Sequence, residues 1–378
     1  MTKSNKKWWY ILGSLLFIIY IFMAPRPIPE ETVLVPRWIT SLESNHPVSI
    51  GDTSALNDGL LLPFTLGDRF GYVRDDGSFT INQIRNGYIS LSENNWAKYE
   101  ALPSSIQIMN PLNESVFEIE KPKGYPLFLD KRVFIIGSEQ NFITAINPAG
   151  EELWTHDFPA PVTCVDGANG YLLAGTLDGT VILLNSLGTP VIPPFEPGGS
   201  RLSVILGCAI SRDASRLAII SGIENQRFLF LERTGETLRP LVGGRMPGGQ
   251  EDTFRVVYHE FLNTGFRRPV HINFVDNDSK VVFEREGGLG IYNINSRTSG
   301  SLSLDGEIAG LDNSCEDGFF FVIIAQGSNE KRLIVIRSPG VVVNEAPFRS
   351  ESAFFARKNR KLYIGGDMTM ASFELEKR

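Results

Sequence analysis

Cysteine and histidine are scarce in this chain of 378 residues, with three of the first and four of the second. Cys164, Cys208 and Cys315 stand far apart, without a CxxC or a vicinal pair, which excludes a zinc ribbon and a dithiol redox motif. His46, His156, His259 and His271 supply no i, i+4 pair and no HExxH, so the common zinc-hydrolase patterns are absent. There is no surplus of positive charge either. The formal net charge is -7, and a chain with no basic excess cannot neutralise phosphates, which argues against a nucleic-acid partner. No GxSxG elbow occurs. The glycine-rich VGGRMPGGQED (Val242 to Asp252) lacks the GK[ST] ending of a phosphate cradle and reads as a turn-rich connector.

Glycine (36) and proline (22) are plentiful and scattered, as expected where many turns separate short strands. Hydrophobic residues at 42% allow a large core.

One long apolar run opens the chain. Trp8 to Ala24 (WWYILGSLLFIIYIFMA) carries no charge, follows Lys3, Lys6 and Lys7, and ends at Pro25, Pro27 and Pro29. As a helix it spans about 25 Å, the short end of a membrane crossing. The lysines predict a cytoplasmic tail over 1–7, and residues 8–24 a signal anchor. A cleaved signal peptide is the rival, but no small-x-small site closes the run. No cysteine lies near the end of the run, which excludes a bacterial lipoprotein. Residues 25–47 then form a linker with a candidate closing strand. The remainder is expected outside the cytoplasm, periplasmic if the host is bacterial.

The rest of the chain repeats itself. GSEQNFITAINPAG (Gly137 to Gly150), GTLDGTVILLNSLG (Gly175 to Gly188), GIENQRFLFLERTG (Gly222 to Gly235) and GSNEKRLIVIRSPG (Gly327 to Gly340) each run from glycine through a polar turn and an apolar strand to a second glycine turn. REGGLGIYNINSRTSG (Arg285 to Gly300) is a looser copy. Apolar strands precede each unit and a more polar strand follows, such as EELWTHDF (Glu151 to Phe158) or ETLRPLV (Glu236 to Val242). Four short antiparallel strands every 38–50 residues predict an all-β propeller. One such sheet cannot bury both faces alone, whereas blades stacked radially bury them against each other. The expected blades cover 48–86, 87–122, 123–160, 161–199, 200–246, 268–305 and 306–348. The three-stranded tail completes the ring if ETVLVPRWITSL (Glu31 to Leu42) pairs with it. That makes eight blades within 48–378, with seven as the alternative.

PGGQEDTFRVVYHEFLNTGFRR (Pro247 to Arg268) breaks the period. Its apolar residues recur at helical spacing, although its valines and tyrosine suit a strand equally, and the spacing tips the expectation to a helix or edge excursion. An insertion in a rigid repeat is a natural partner site, so Phe254, Tyr258, Phe261, Arg267 and Arg268 are the candidate partner-binding residues. The acidic turns VDNDSK (Val275 to Lys280), TLDGT (Thr176 to Thr180) and RDDGS (Arg74 to Ser78) resemble calcium loops, but their residues are what tight hairpin turns need. ARKNRK (Ala356 to Lys361) and Arg267–Arg268 read as solvated turns, with a partner- or phospholipid-facing patch as the alternative. Asn113–Ser115 and Asn277–Ser279 match a glycosylation sequon. Cys164 and Cys208 fall on inner strands of neighbouring repeats, where a bridge is conceivable.

The stretch from Trp154 through YLLAGTLDGTVILLNSLG, with NPAGEELW (Asn147 to Trp154) before it, is similar to the quinoprotein-type (PQQ-like) propeller repeat and shades into WD40-like pattern elsewhere. That family contains quinone-dependent alcohol dehydrogenases and non-enzymatic members, among them a propeller subunit of the outer-membrane barrel assembly machinery. The vicinal cysteines and calcium ligands of the enzymes have no counterpart here. The resemblance therefore implies the non-enzymatic branch: no cofactor, no metal, and a membrane-tethered scaffold binding other proteins. A small-ligand sensor using the central channel is the alternative, and a degenerate enzyme the third reading.

Overall fold

The computed structural model describes residues 32–43, 48–49, 61–198, 200–234, 253–263, 265–312 and 318–377, with Trp8, Tyr10, residues 12–15 and Phe17 near the start. Every regular element described after Phe17 is a β-strand. β1 (Thr32–Ser41) and β2 (Val48–Ser49) come first. Blade 1 holds β3 (Leu61–Leu66), β4 (Arg69–Arg74) and β5 (Phe79–Ile84). Blade 2 holds β6 (Tyr88–Leu91), β7 (Trp96–Tyr99), β8 (Ser105–Met109) and β9 (Ser115–Glu120). Blade 3 follows with β10 (Gly124–Leu129), β11 (Arg132–Gly137), β12 (Phe142–Ile146) and β13 (Glu152–Asp157). Blade 4 has β14 (Val162–Ala168), β15 (Tyr171–Thr176) and β16 (Val181–Leu184), with isolated bridges from β16 to Pro190 and Phe195 at its outer edge. Blade 5 has β17 (Ile205–Ile210), β18 (Arg216–Ser221), β19 (Arg227–Thr234) and β20 (Thr253–Phe261). Blade 6 contains β21 (Ile272–Val275), β22 (Lys280–Arg285), β23 (Gly288–Asn293) and β24 (Thr298–Ser303). Blade 7 contains β25 (Glu307–Leu311), β26 (Phe319–Gln326), β27 (Glu330–Arg337) and β28 (Val341–Arg349). Blade 8 ends the chain with β29 (Ala353–Lys358), β30 (Lys361–Gly366) and β31 (Thr369–Lys377). All pairings are antiparallel, and the eight sheets decide between eight blades and seven.

The ring closes in blade 8. β1 pairs with β31 from Thr32↔Lys377 to Ser41↔Thr369, joining the first strand of the propeller to the last. Arg37 holds Glu374 and Glu376 at 2.8 Å, and Trp38 is fully buried with its indole N–H on the Asp75 carbonyl of blade 1 at 2.7 Å.

Among the described residues there is no single central core. Eight apolar clusters occupy the eight blade–blade seams. Period-two alternation explains how one strand serves two of them. On β15, Leu172 and Ala174 face blade 3, while Leu173 between them faces blade 5. Each fully buried Leu, Ile, Val or Phe contributes about 1.5–3 kcal/mol, so stability is spread round the ring.

Polar contacts reinforce the same seams. Asp130 accepts from Gly170 N at 2.7 Å (blades 3 and 4), and Asp166 from Ile210 N at 2.9 Å (blades 4 and 5). Arg212 reaches Asn277 and Asp278 across seam 5–6, and Asp276 accepts from Gly318 N and Ser338 Oγ across seam 6–7. Arg357 pairs with Asp312 at 3.2 Å across seam 7–8. Asp75 takes Lys361 Nζ and Tyr363 OH, both at 2.6 Å, across seam 8–1. The acidic turns thus join blades as well as turning the chain. ARKNRK requires a correction, since only its Asn359–Arg360 tip is solvated: Arg357 is buried and Lys361 half-buried in these pairs, and Lys358 meets Glu93 at 3.2 Å.

A second correction concerns Pro247 to Arg268. Residues 253–261 are not helical; they form β20, the fourth strand of blade 5, in register with β19 from Thr234↔Thr253 to Arg227↔Phe261. A bulge at Phe230/Leu231 shifts the alternation, which is why the apolar positions mimicked a helical period. ETLRPLV, expected as that fourth strand, lies outside the described residues. Most of the run 8–24 does too; Trp8, Tyr10, residues 12–15 and Phe17 are helical. Among the described residues no helix is long and apolar enough to cross a membrane.

Candidate functional site

Antiparallel blades sort their turns onto two faces. First–second and third–fourth turns lie on one face, and second–third turns with the inter-blade links lie on the other, here called the link face. Thr32 enters opposite Lys377, at the end of a third strand, so β1 begins at the face opposite the link face.

The link face carries an aromatic ledge. Tyr88 opens β6 and is paired across the sheet with Tyr99, which closes β7. Their rings stack at 5.9 Å, and Tyr99 stacks on Tyr125 of blade 3 at 5.5 Å. Hydrogen bonds fix the rings: Tyr99 OH and Ser90 Oγ are 3.1 Å apart, Ser90 Oγ donates to Pro126 O at 2.6 Å, and Tyr125 OH donates to Ala101 O at 3.2 Å. Burial raises the Tyr99 phenol above its usual range, with the Ser90 hydrogen bond opposing. Beside the stack Leu102 is 90% exposed, Tyr88 57% and Ile84 49%. Rigid aromatics flanked by exposed aliphatics are what a protein interface uses as an anchor, because little side-chain entropy is lost on contact. The sequence reading missed this cluster. Its only trace is three of the ten tyrosines between positions 88 and 125.

The expected partner residues are divided between seam and surface. Phe254 packs against the cluster between blades 4 and 5. Tyr258 stacks on Tyr292 at 4.5 Å and donates to Glu260, whose other oxygen accepts from Ser299 Oγ. Burial, then the Glu260 hydrogen bond and charge, raise the Tyr258 phenol; burial, then the Glu232 charge, push Tyr292 up to about 12. Arg268 grips Glu284 with two bonds at 2.7 and 3.0 Å, reaches Glu307 at 3.1 Å and lies over Phe266. Those carboxylates raise its guanidinium, the Glu284 hydrogen bond most of all. Phe261, under the Arg227 guanidinium, and Arg267 remain exposed, at the link-face end of blade 5.

Also on the link face, a cavity of about 540 Å³ lies between blades 7, 8 and 1, lined by Asn329, Arg349, Ser350, Glu351, Asp367 and Met368 among others. Buried Lys331 sits behind it and donates to Ser328 O, Ser350 O and Glu351 O. The TLDGT turn is closed by itself: Thr176 Oγ1 and Thr180 N donate to Asp178, and Gly179 takes φ +90°. Burial would raise the Asp178 carboxyl, but these donors outweigh it and hold it below its usual value.

Residues 1–378 match the family described as beta-propeller protein. The chain belongs to that family. It is also 24% identical to a Treponema pallidum (strain Nichols) protein described as uncharacterized, over 99% of this chain and 96% of the other. Among solved structures the propeller is similar to BamB from Moraxella catarrhalis, with a TM-score of 0.59, 12% identity, and coverage of 90% of this chain and all of that one. It is similar as well to a chain of the mitotic checkpoint complex, with a TM-score of 0.52, 13% identity, and coverage of 87% and 96%. At such identities these likenesses concern the fold alone.

Proposed function

We propose that this propeller is a non-catalytic protein-interaction scaffold, tethered by residues 8–24 outside the cytoplasm, and that it presents its link face to partners. The observation that carries the reading is the Tyr88–Tyr99–Tyr125 ledge with exposed Leu102, a stacked and hydrogen-bonded aromatic platform open to solvent on the link face. Its place agrees with a tether, because β1 begins at the opposite face and a tether joined there leaves the ledge facing away from the membrane. A propeller chain in the mitotic checkpoint complex is a precedent for the fold as part of an assembly. The finer likeness to quinoprotein-type repeats rests on Trp154 and the glycine turns, and favours the non-enzymatic branch.

The test is quantitative co-purification from native membranes of the chain carrying Tyr88→Ala and Leu102→Asp. Loss of the partners recovered with the unmodified chain, at an unchanged melting temperature, is expected; undiminished recovery overturns the reading. The polar cavity between blades 7, 8 and 1 favours a second reading, a small polar ligand as signal. That reading requires a melting shift with a panel of polar metabolites.

A further inference from the structure

Cys164 and Cys208 are both free thiols. Each lies on the innermost strand of its blade, Cys164 on β14 and Cys208 on β17, and these two strands run side by side. Both sulfurs belong to the apolar cluster of the seam between blades 4 and 5. Cys164 is cross-strand from Gly175, and a Cβ at that position would meet both the Cys164 sulfur and Ile205 of blade 5, so the missing side chain lets Cys164 lie against the seam. Cys208 sends its S–H across the seam toward Leu173 O of blade 4, at 3.9 Å. The two thiols thus sit on neighbouring inner strands and line one apolar seam.

We propose that Cys164 and Cys208 are an oxidisable pair whose disulfide locks blade 4 to blade 5. The oxidant is a small disulfide such as oxidised glutathione. The Cys164 thiol gives up its proton and its sulfur attacks one sulfur of the oxidant, forming a mixed disulfide and expelling one thiolate. The Cys208 thiol then gives up its proton and its sulfur attacks Cys164, expelling the second. The chain loses two electrons and two protons, and the oxidant becomes two thiols. Cys164 acts first because it is partly exposed, whereas the hydrogen bond to Cys164 and burial hold the Cys208 thiol above its usual range and therefore protonated. The bond has a mechanical sense. β1 closes the ring in blade 8, and seam 4–5 lies half a turn away, so the disulfide would brace the side that the clasp does not reach.

The experiment uses the full unmodified chain, exposed to oxidised glutathione or to dithiothreitol, then alkylated under denaturing conditions and peptide-mapped. Expected is loss of two of the three alkylatable thiols, an intramolecular Cys164–Cys208 peptide, and a higher melting temperature that dithiothreitol reverses. Cys164→Ser should show neither the linked peptide nor the shift. Three results overturn the proposal: all three thiols still alkylated, a glutathione adduct on Cys164 that never resolves, or a linked pair with no rise in melting temperature.

Discussion

Trp154 and Gly188 offer the sharpest check on how neighbouring blades are joined. The Trp154 ring on β13 lies over the third–fourth turn of blade 4, donates its indole N–H to Ser186 O at 2.9 Å, and packs against Phe134. Gly188 has φ +75°, and a Cβ built there would run into the indole. Gly188→Ala should therefore cost about 1–2 kcal/mol for the left-handed backbone and about 1–3 kcal/mol more for the collision. Trp154→Ala should cost about 2–3 kcal/mol, below the range for a fully buried aromatic because the indole is partly exposed. In the double variant the collision is gone and Gly188→Ala should cost only its backbone part. Urea unfolding followed by far-UV circular dichroism on all four proteins should thus give a coupling of about 1–3 kcal/mol, the double variant being more stable than the sum of the singles. Additivity within about 0.5 kcal/mol would refute the docking argument.

Two further outcomes follow from the seams. Arg268→Ala leaves Glu284, whose side chain is 2% exposed, without its charge partner, and should cost about 3–5 kcal/mol; adding Glu284→Gln should recover part of that in the same unfolding assay. The pH profile of stability should show opposite contributions from two aspartates. Burial raises the Asp166 carboxyl to about 6 despite donors at Ile210 N and Gly167 N, so its contribution is full below its unfolded pKa near 3.8 and falls as pH rises through about 6. Burial is outweighed at Asp276 by Gly318 N, Lys280 and Ser338, which hold it at about 2, so its contribution is full above 3.8 and lost as pH falls through about 2. Asp166→Asn should flatten the loss between pH 4 and 6, and Asp276→Asn the loss on the acid limb; profiles unchanged by both would disprove the assignment.

The repeats were legible because each blade writes its own period. Glycine turns at Gly137, Gly175, Gly222 and Gly327 bracket apolar strands, and Glu31 to Leu42 had the length and pattern to complete the last sheet. β20 was misread because a bulge displaces its alternation by one residue, and a displaced period of two imitates a helical spacing over so short a stretch. Arg268 looked like a free cation for the same local reason: Glu284 and Glu307, which hold it, belong to other strands and blades.

By itself the sequence determined the all-β class, the repeating four-stranded unit and the self-closing ring, because strand alternation and turn chemistry are local properties of the chain. Tertiary structure alone decided which polar residues serve as joints. Asp75 meets Lys361, Asp276 meets Gly318 and Ser338, and Arg357 meets Asp312 only once neighbouring blades are stacked. The same holds for the ledge. Tyr88 and Tyr99 meet through one hairpin, but Tyr125 reaches them only across a seam, so three scattered tyrosines become one surface through radial packing.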